Sequence, residues 1–506
     1  MNSKKRGPWR SGSAHVWGAC GRWFESSRPE MSFYFTNSVS GQKEQFVSYN
    51  KSEVRIYSCG PTVYDRAHIG NFRSYLFSDL LRRSLKLGGY IVHQVVNLTD
   101  IDDKTINATL KKNRQADLAD LDNYTKPFIE GFFEDLKKMN IEMVEHYPRA
   151  TKNIPEMIEL VEKLLKKENA YSQDGNIYFN ISSFKNYGNL SGIDLSGIKS
   201  GIRYNVDEYD KEDVRDFVLW KSDKEEGQIG WQSPFGFGRP GWHLECSAMI
   251  EAKFKGPIDI HTGGVDLIFP HHENEIAQSV CAFDHEFVRT WMHCEHLLVD
   301  GKKMSKSQGN FYTLEDIFKR GFDPRALRYA LISVHYRQKL NFTLKSMDSA
   351  AQNIKKIDNF YERIEFSAEK EDLPRLFSEN SKKWISEILF SLQDDLNIAK
   401  ALAIFHESLN EMNAYLDKNR DYCHPDDKKA ILGYLEKSDS IFGFAGKKQD
   451  NYAANETLLL ALKNRNLARQ SKDFKEADRI RDEILKQGFE ILDTPQGSRL
   501  RKISET

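Results

Sequence analysis

The first strong hydrophobic pattern in the chain changes from strand-like to helix-like spacing and back. A β-rich run at 54–58 leads into a glycine-containing turn, and a second apolar run follows at 90–96. Between them, leucines recur on one side of a predicted helix: Leu76, Leu80, Leu81 and Leu85. Strand, turn, helix and strand form a βαβ unit, which predicts an α/β fold whose parallel sheet binds ligands at the carboxyl ends of its strands.

The next segment, about 115–220, interrupts this pattern and predicts an inserted domain. Helical spacing is found at 128–137 and at 155–167, where Pro155 suits a first helical turn. A short strand is predicted at 177–181. The segment thus mixes elements that do not continue the first βαβ unit.

Strand-like apolar runs then return at 258–261 and at 296–299, each followed by a loop that contains glycine. We assign both runs to the second half of the same sheet. The predicted α/β domain, 31–344, is therefore split by the insertion.

Beyond residue 344 the apolar spacing becomes helical and predicts a helical bundle over 345–445. The positions that set this period are Ile354, Ile357, Phe360, Tyr361, Ile364, Ile385, Ile388, Leu389, Leu392 and Leu396. One long charged helix is predicted at 456–486, within a small C-terminal domain at 446–506.

Composition and charge narrow the function classes without choosing among them. The chain has 506 residues, 29% of them charged and 40% hydrophobic, and a formal net charge of −1, which predicts several globular domains. A net charge this close to zero excludes a uniformly basic coat, so any surface for nucleic acid must be local. No apolar run reaches the roughly 18–20 residues of a membrane-spanning helix, so we expect no membrane association.

The distribution of the cysteines bears on the cellular compartment of the protein. Six dispersed cysteines show no disulfide framework: Cys20, Cys59, Cys246, Cys281, Cys294 and Cys423. They predict free thiols or metal ligands in a reducing compartment, and we expect the cytoplasm.

Residues 1–30 are basic and predict a disordered extension. Two interpretations stay open, an organellar transit peptide or a start codon assigned too early, and Met31 favours the second.

A His-x-Gly-x element stands where the first predicted helix begins. Gly70 lets a flat adenine ring approach the backbone, and His68 can donate a hydrogen bond to phosphate. The amino end of a helix adds unpaired N–H groups and a positive dipole end, which favour an anion. Alone the element is weak, because a histidine near a helix start is more often an ordinary surface residue.

A second motif, KMSKS at 303–307, lies in a loop flanked by Gly301 and Gly309. The ammonium groups of Lys303 and Lys306 can reach triphosphate oxygens, although a solvated basic loop explains this motif when it is taken alone. Both motifs in this order resemble the HIGH and KMSKS signatures of class I aminoacyl-tRNA synthetases. The resemblance implies activation of a carboxylate by ATP with magnesium, with His68, Lys303 and Lys306 at the reacting phosphates.

Three further segments resemble the cysteinyl-tRNA synthetase family. They are CGPTVYD at 59–65, GWHLECS at 241–247 and FPHHENE at 269–275. The resemblance runs from residue 32 to the end and implies a Rossmann-like parallel sheet with an inserted domain, a helical bundle and a small C-terminal domain. One position departs, because the class I signature ends in histidine and this chain has Asn71. Asparagine can still donate a neutral hydrogen bond, so we expect activity to be retained.

Four residues are candidate ligands of one zinc ion. His271 and Glu275 are four apart, which on a helix places both within reach of one ion, although a solvated polar helix has the same spacing. Cys59 and Cys246 resemble the remaining zinc ligands of the family. The resemblance implies one zinc per chain, which binds the substrate thiolate and rejects serine, so we expect no editing activity.

The resemblance also implies contacts with the small substrates. Trp242 is expected at the floor of the amino-acid pocket and Thr99 against L-cysteine, although both residue types are common in ordinary cores. Gly264 and Asp266 combine a glycine turn with a carboxylate that can accept hydrogen bonds from ribose, and a plain turn explains Asp266 equally well. The predicted ATP-binding set is Gly70, Asn71, Gly264, Asp266 and Lys306.

The resemblance extends to RNA through the segments ADRIRD at 477–482 and DTPQG at 493–497, which are similar to the anticodon-reading end of the family. It implies a ligase that activates L-cysteine and transfers it to tRNA(Cys), and we separately expect a monomer. Two alternatives stay open. A related ligase joins cysteine to an amino sugar but lacks the full terminal domain, and a non-catalytic RNA-binding paralogue would not need His68, Lys303 and Lys306.

Overall fold

The computed structural model describes residues 32–193, 203–204, 216–222, 229–305, 309–446, 456–494 and 497–502. Two of the sequence predictions lie outside these residues: the extension at 1–30 and the phosphate-binding role of Lys306.

The described residues form helices and short strands in the following order. Up to residue 193 they are β1 (Tyr34–Thr36), β2 (Lys43–Gln45), β3 (Glu53–Ser58), α1 (Ile69–Leu87), β4 (Ile91–Val96), α2 (Asp103–Lys112), α3 (Leu118–Lys138), α4 (Ile154–Lys166), β5 (Ala170–Gln173) and β6 (Asn176–Phe179). Up to residue 342 they are β7 (Arg203–Tyr204), β8 (Asp216–Ser222), β9 (Gly238–Pro240), α5 (Trp242–Phe254), β10 (Ile258–Gly264), α6 (Glu273–Ala282), β11 (Val288–Cys294), β12 (Leu297–Val299), β13 (Lys302–Lys303), α7 (Leu314–Phe318), α8 (Pro324–Ile332) and β14 (Leu340–Phe342). The remainder are α9 (Leu344–Glu365), β15 (Ala368–Glu369), α10 (Phe377–Gln393), α11 (Ile398–Lys418), β16 (Tyr422–Cys423), α12 (Pro425–Phe442), α13 (Glu456–Gln470), α14 (Phe474–Lys486), β17 (Phe489–Thr494) and β18 (Gly497–Lys502).

A four-stranded parallel sheet in the order β11-β10-β3-β4 carries the α/β part of the molecule. The strands predicted at 54–58, 90–96 and 258–261 are confirmed as β3, β4 and β10. α1 connects β3 to β4, and the leucines that predicted it are buried in the core. Because helices and loops cover both faces of such a sheet, no residue of its central strands β3 and β10 is exposed.

The fourth strand of this sheet differs from the prediction. The run at 296–299 is a strand, β12, but it pairs with β13 and β14 in a separate three-stranded sheet. The edge of the parallel sheet is instead β11, which pairs with β10. β11 has no regular apolar pattern, because it contains polar side chains whose hydrogen-bond partners lie inside the protein. The ring of His293, for example, lies 2.7 Å from Ser38 Oγ and 2.8 Å from the ring of His272.

The inserted segment folds mainly around its own core. β5, β6, β8 and β7 form a sheet in that order, β9 pairs with β8, and α4 packs its buried apolar face in the same cluster. The helices and the strand predicted within 115–220 are confirmed as α3, α4 and β6. α3 packs differently, because Phe132 and Leu136 join the core that contains Phe72 of α1.

The helices predicted over 345–445 are present as α9 to α12, and all the apolar positions that predicted them are buried. α9 begins after Thr343, whose side chain accepts from the backbone N–H of Ser346 in a capping box. The bundle helices share one hydrophobic core with α1 and α8. The bundle therefore packs directly on the α/β part.

The prediction of one long helix at 456–486 is wrong. The segment forms two helices, α13 and α14, followed by the hairpin β17–β18. The chain turns at Lys472, which has a positive φ of 63°, and Asp473 caps α14 by accepting from the N–H of Glu476. The turn lets Ile480 and Ile484 pack against Leu458, a contact that a continuous helix could not make.

Among the described residues, no helix combines the length and the apolar composition that a bilayer crossing needs.

Candidate active site and metal centre

The candidate metal ligands come from three separate parts of the chain. Cys59 directly follows β3, Cys246 lies in the second turn of α5, His271 lies in the helical turn just before α6, and Glu275 lies in the first turn of α6. β3 is a central strand of the parallel sheet, so Cys59 stands at the carboxyl edge where ligands bind in α/β folds. α5 and α6 pack against each other and bring their side chains to this edge.

The donor atoms of these four residues lie within 4.8 Å of one another. His271 Nε2 is 3.1 Å from Glu275 Oε1 and 3.4 Å from Cys246 Sγ, and Cys59 Sγ is 4.0 Å from Glu275 Oε1. A tetrahedral zinc ion with sulfur and nitrogen ligands separates its donors by about 3.3–3.8 Å. Two thiols, an imidazole and a carboxylate at this spacing fit a zinc ion.

A second group shares two members with the first. Cys59, His261, His272 and Glu275 also place their donor atoms within 4.8 Å of one another. Cys59 Sγ is 3.3 Å from His272 Nε2, and His261 Nε2 is 3.0 Å from Glu275 Oε2. His261 and His272 were not among the residues predicted from the sequence, where their one signal is the high density of histidine around β10 and α6.

Burial is the largest cause of the pKa shifts in this cluster. Burial raises the pKa of Glu275 well above its usual value, nearby Cys246 adds to the shift, and His271 opposes it. Burial, together with the neighbouring histidines, lowers the pKa values of His261 and His272 well below the usual value. Neutral imidazole is the form that binds a metal, and a cation would offset the cost of burying carboxylate and thiolate together.

Trp242 and Thr99 lie next to this cluster. The Trp242 ring stacks on the ring of His271 with 4.4 Å between centroids, and His243 Nδ1 is 3.0 Å from His271 Nδ1. Thr99 is buried, and its hydroxyl donates to Glu245 Oε2 at 3.0 Å, one residue before Cys246. The two residues predicted to contact the amino acid therefore flank the candidate metal ligands.

The first nucleotide signature forms the start of α1. His68 is the N-cap, and its Nδ1 accepts hydrogen bonds from the N–H groups of Gly70 and Asn71. Asn71 Oδ1 in turn accepts from the N–H of His68 at 3.1 Å. Since Nδ1 is an acceptor, the neutral ring carries its proton on Nε2, which is the nitrogen able to donate to a ligand.

The second signature lies beside the first. Lys303 is exposed in β13, and its carbonyl accepts from Asn310 Nδ2. A Cβ placed on Gly70 would stand 3.1 Å from the Cε atom of Met304. The backbone after the loop returns to His68, because the carbonyl of Tyr312 accepts from the N–H of Ile69.

Gly264 ends β10 at the same edge of the sheet, and Asp266 lies in the turn that follows. A Cβ on Gly264 would lie 2.3 Å from Asp266 Oδ1, so a side chain there would displace the carboxylate. Asp266 is exposed and available to an external hydrogen-bond donor. Both residues are thus positioned at the carboxyl ends of the strands, as is the start of α1.

Comparison with known proteins shows what this chain as a whole is similar to. The family profile described as the tRNA synthetases class I (C) catalytic domain matches residues 45–352. A cysteine–tRNA ligase of Leptospira interrogans is 51% identical over 482 residues, covering 94% of this chain and 99% of that protein. A cysteine–tRNA ligase of Chlamydia muridarum is 44% identical over 484 residues, covering 94% of this chain and 100% of that protein.

Solved structures support the fold. Mycobacterium tuberculosis methionyl-tRNA synthetase in complex with methionyl-adenylate aligns with a TM-score of 0.56 at 13% identity, covering 79% of this chain and 95% of that one. A putative arginyl-tRNA synthetase from Campylobacter jejuni aligns with a TM-score of 0.52 at 15% identity, covering 80% and 95%. At this level of identity the likeness concerns the fold alone.

Proposed function

The chain belongs to the cysteine–tRNA ligase family of class I aminoacyl-tRNA synthetases, and from that premise we propose that Cys59, Cys246, His271 and Glu275 hold the zinc ion that selects its amino acid. As a cysteine–tRNA ligase it activates L-cysteine with ATP and transfers it to tRNA. The observation that supports the zinc assignment is the meeting of two thiols, an imidazole and a carboxylate within 4.8 Å of one another.

The reaction has two group transfers. A carboxylate oxygen of cysteine attacks the α-phosphorus of ATP, the bond to the β,γ-diphosphate breaks, and cysteinyl-adenylate forms. A terminal ribose hydroxyl of tRNA then attacks the carbonyl carbon, and AMP leaves. Neither transfer needs a covalent nucleophile from the protein, so the side chains act by positioning the reactants and by neutralising charge.

The nucleotide occupies the edge formed by the start of α1, the end of β10 and the loop after β13. Through the proton on Nε2, His68 donates to a phosphate oxygen, while Lys303 and Lys306, together with magnesium, neutralise the negative charge of the triphosphate. Adenine approaches the backbone of this turn at Gly70, and Asn71 holds the cap. Asp266, beside Gly264, accepts the ribose hydroxyls.

The amino acid lies between Thr99 and Trp242. Zinc bound here supplies a soft Lewis acid that prefers a thiolate to the hydroxyl of serine. Trp242 stacks on His271 and closes one wall of the pocket, so the packed ring also holds a proposed ligand in place. Selection by the metal makes a separate editing site unnecessary, because shape alone discriminates serine from cysteine poorly.

The helical bundle and the C-terminal unit α13 to β18 supply the surface for tRNA(Cys). We assign the catalytic domain to 31–344, the bundle to 345–445 and the anticodon-binding domain to 446–506, in a monomeric cytoplasmic enzyme. Because this chain keeps the terminal unit and aligns with nearly the full length of its relatives, tRNA is favoured over an amino sugar as the acceptor.

Cysteine-dependent exchange of pyrophosphate into ATP tests the zinc assignment. The purified chain should exchange with cysteine, should exchange far less with serine, and should lose activity when a chelator removes zinc and regain it when zinc returns. Equal rates with serine would contradict selection by zinc. A chain without any cysteine-dependent exchange would instead be a non-catalytic RNA-binding paralogue, and charging of an amino sugar but not of tRNA would identify the related ligase.

A further inference from the structure

Three buried polar side chains connect the two segments that carry the cysteines. Asn97, Thr99 and Glu245 are 2%, 3% and 1% exposed, so their polar atoms depend on each other rather than on water. Asn97 Oδ1 accepts from the N–H of Gly60, the residue after Cys59, at 2.8 Å. Asn97 Nδ2 donates to Thr99 Oγ1 at 3.1 Å, and Thr99 Oγ1 donates to Glu245 Oε2 at 3.0 Å.

The backbone fixes one end of this chain of hydrogen bonds. The N–H of Val63 donates to the carbonyl of Thr99 at 3.0 Å, and the N–H of Thr99 donates to the carbonyl of Pro61 at 3.1 Å. A Cβ on Gly60 would lie 1.8 Å from the carbonyl oxygen of Asn97. The loop at 59–63, called the Cys59 loop below, is therefore held closely against segment 97–99 by backbone contacts. Segment 97–99 is connected to α5 by the hydrogen bond between Thr99 and the Glu245 side chain.

The same bonds fix the direction of the Thr99 hydroxyl. A threonine hydroxyl has one hydrogen and two lone pairs. The hydrogen is directed at Glu245 Oε2 and one lone pair receives the Asn97 amide, so the second lone pair is left to accept from a third group. Glu245 Oε2 can accept whether the carboxyl is ionised or protonated on Oε1, so this arrangement does not depend on the charge of Glu245.

We propose that Glu245 and Asn97 are positioning residues for cysteine activation: together they hold the Thr99 hydroxyl as an acceptor for the α-ammonium group of the substrate and tie the Cys246 helix to the Cys59 loop. An ammonium group only donates, so a hydroxyl held as an acceptor suits it. The inference rests on the proposed function, because it takes Thr99 as a substrate contact and the two cysteines as metal ligands.

Substitutions at Glu245 test the role of its acceptor. Glu245→Met removes the acceptor, frees the hydroxyl to rotate, and should raise the KM for cysteine about tenfold while the KM for ATP stays unchanged. Glu245→Gln keeps a carbonyl acceptor and should stay within about twofold of the unsubstituted chain. If Glu245→Met does not fold, Asn97→Asp provides the test, because an aspartate still accepts from Gly60 but can draw the Thr99 hydrogen away from Glu245.

A double substitution separates positioning from general stability. If Glu245 acts through Thr99, Glu245→Met should add almost nothing to the cysteine KM of Thr99→Val. Asp427→Asn is the matched control, because this buried carboxyl in the bundle accepts from the N–H groups of Leu376 and Phe377 and its loss should leave the cysteine KM unchanged.

The outcomes separate this inference from the function on which it rests. Additive effects of Glu245→Met and Thr99→Val, or equal changes in the KM values for cysteine and ATP, would overturn the positioning role. An unsubstituted chain that binds no zinc or shows no cysteine-dependent exchange would overturn the proposed function instead. Zinc content, measured on every variant, should fall in Glu245→Met if the tie between the cysteine-bearing segments is broken and should stay at one ion per chain in Asp427→Asn.

Discussion

At the scale of single residues, the candidate metal centre combines two thiols with a protein-supplied carboxylate and imidazole. Cys246 is buried and lies 3.4 Å from the imidazole of His271. Thiolate sulfur is a strong ligand for zinc, whereas a serine hydroxyl in the same place is not. Replacing the sulfur atom of Cys246 by oxygen should therefore be enough to release the metal.

Cys246→Ser should lower the zinc content from about one ion per chain to a small fraction and should abolish cysteine-dependent pyrophosphate exchange, because only three strong ligands remain. Metal analysis of the purified variant checks the first result and the exchange assay the second. Cys423→Ser is the control, since this buried cysteine lies in β16 of the bundle and should keep its zinc. Full zinc content in Cys246→Ser would remove Cys246 from the ligand set.

At the scale of an element, the start of α1 shows how local sequence shapes a binding site. The helix begins without Ser, Thr or Asp at its cap, and His68 and Asn71 form the capping box instead. Asn71 therefore has a structural function at the position where the class I signature has histidine. The absence of a side chain at Gly70 allows His68 and Met304 to approach this turn together.

Gly70→Ala tests whether this turn holds the nucleotide. The new Cβ would stand 2.9 Å from the ring of His68, so the ring must rotate and its Nε2 must change direction. We expect the KM for ATP to rise about tenfold, the effect of one lost hydrogen bond to a charged group, with little change in the KM for cysteine. In Gly433→Ala the added Cβ meets nothing within 4 Å, and this helical position should gain about 0.5–1 kcal/mol of stability at unchanged KM values. An unchanged ATP KM in Gly70→Ala would argue against a nucleotide at this helix start.

At the scale of the whole molecule, a buried ion pair of the α/β part is hydrogen-bonded to the end of a bundle helix. Arg328 is 0% exposed, and its guanidinium donates to Asp79 of α1 and to the carbonyl of Phe442 at the end of α12. Asp79 also pairs with Arg83 at 2.8 Å. A Cβ on Gly443 would lie 2.6 Å from the Arg328 guanidinium, so the end of the bundle helix is closely fitted to this pair.

This ion pair predicts a loss of stability in acid. Burial opposes ionisation of Asp79, but Arg328 and Arg83 outweigh it and hold the pKa of that carboxyl below its usual value. A lowered pKa in the folded state stabilises the protein above about pH 4 and loses that contribution as the pH falls through the folded-state pKa. Urea unfolding followed from pH 7 down to pH 3 should show a falling midpoint below about pH 4.

Asp79→Asn should remove this part of the acid dependence and lower stability at pH 7 by about 3–5 kcal/mol, because the arginines remain buried without their carboxylate. Asp284→Asn is the control, since the side chain of Asp284 is 96% exposed and its pair with Lys167 lies at the surface. The same acid slope in Asp79→Asn and in the unsubstituted chain would show that Asp79 is not its source.

The sequence by itself determined most of the elements and the kinds of chemistry available. Period-two and period-3.6 patterns located β3, α1, β4 and the bundle helices, because these patterns record which faces are buried. The residues at 303–307 and at 68–71 indicated phosphate binding from their chemical types and their order. Polar strands and internal turns were not recoverable in this way, so β11 was missed and the break at Lys472 was not foreseen.

Only the tertiary structure decided which distant residues meet. Cys59 and Cys246 are 187 positions apart in the sequence, and nothing in local spacing places their sulfur atoms beside Glu275. The same holds for His261, His272 and Glu245, whose functional surroundings come from the packing of α5 and α6 on the edge of the parallel sheet. Periodicity reports burial along one element, whereas a site is assembled from side chains of several elements, and their packing alone sets the distances between donor atoms.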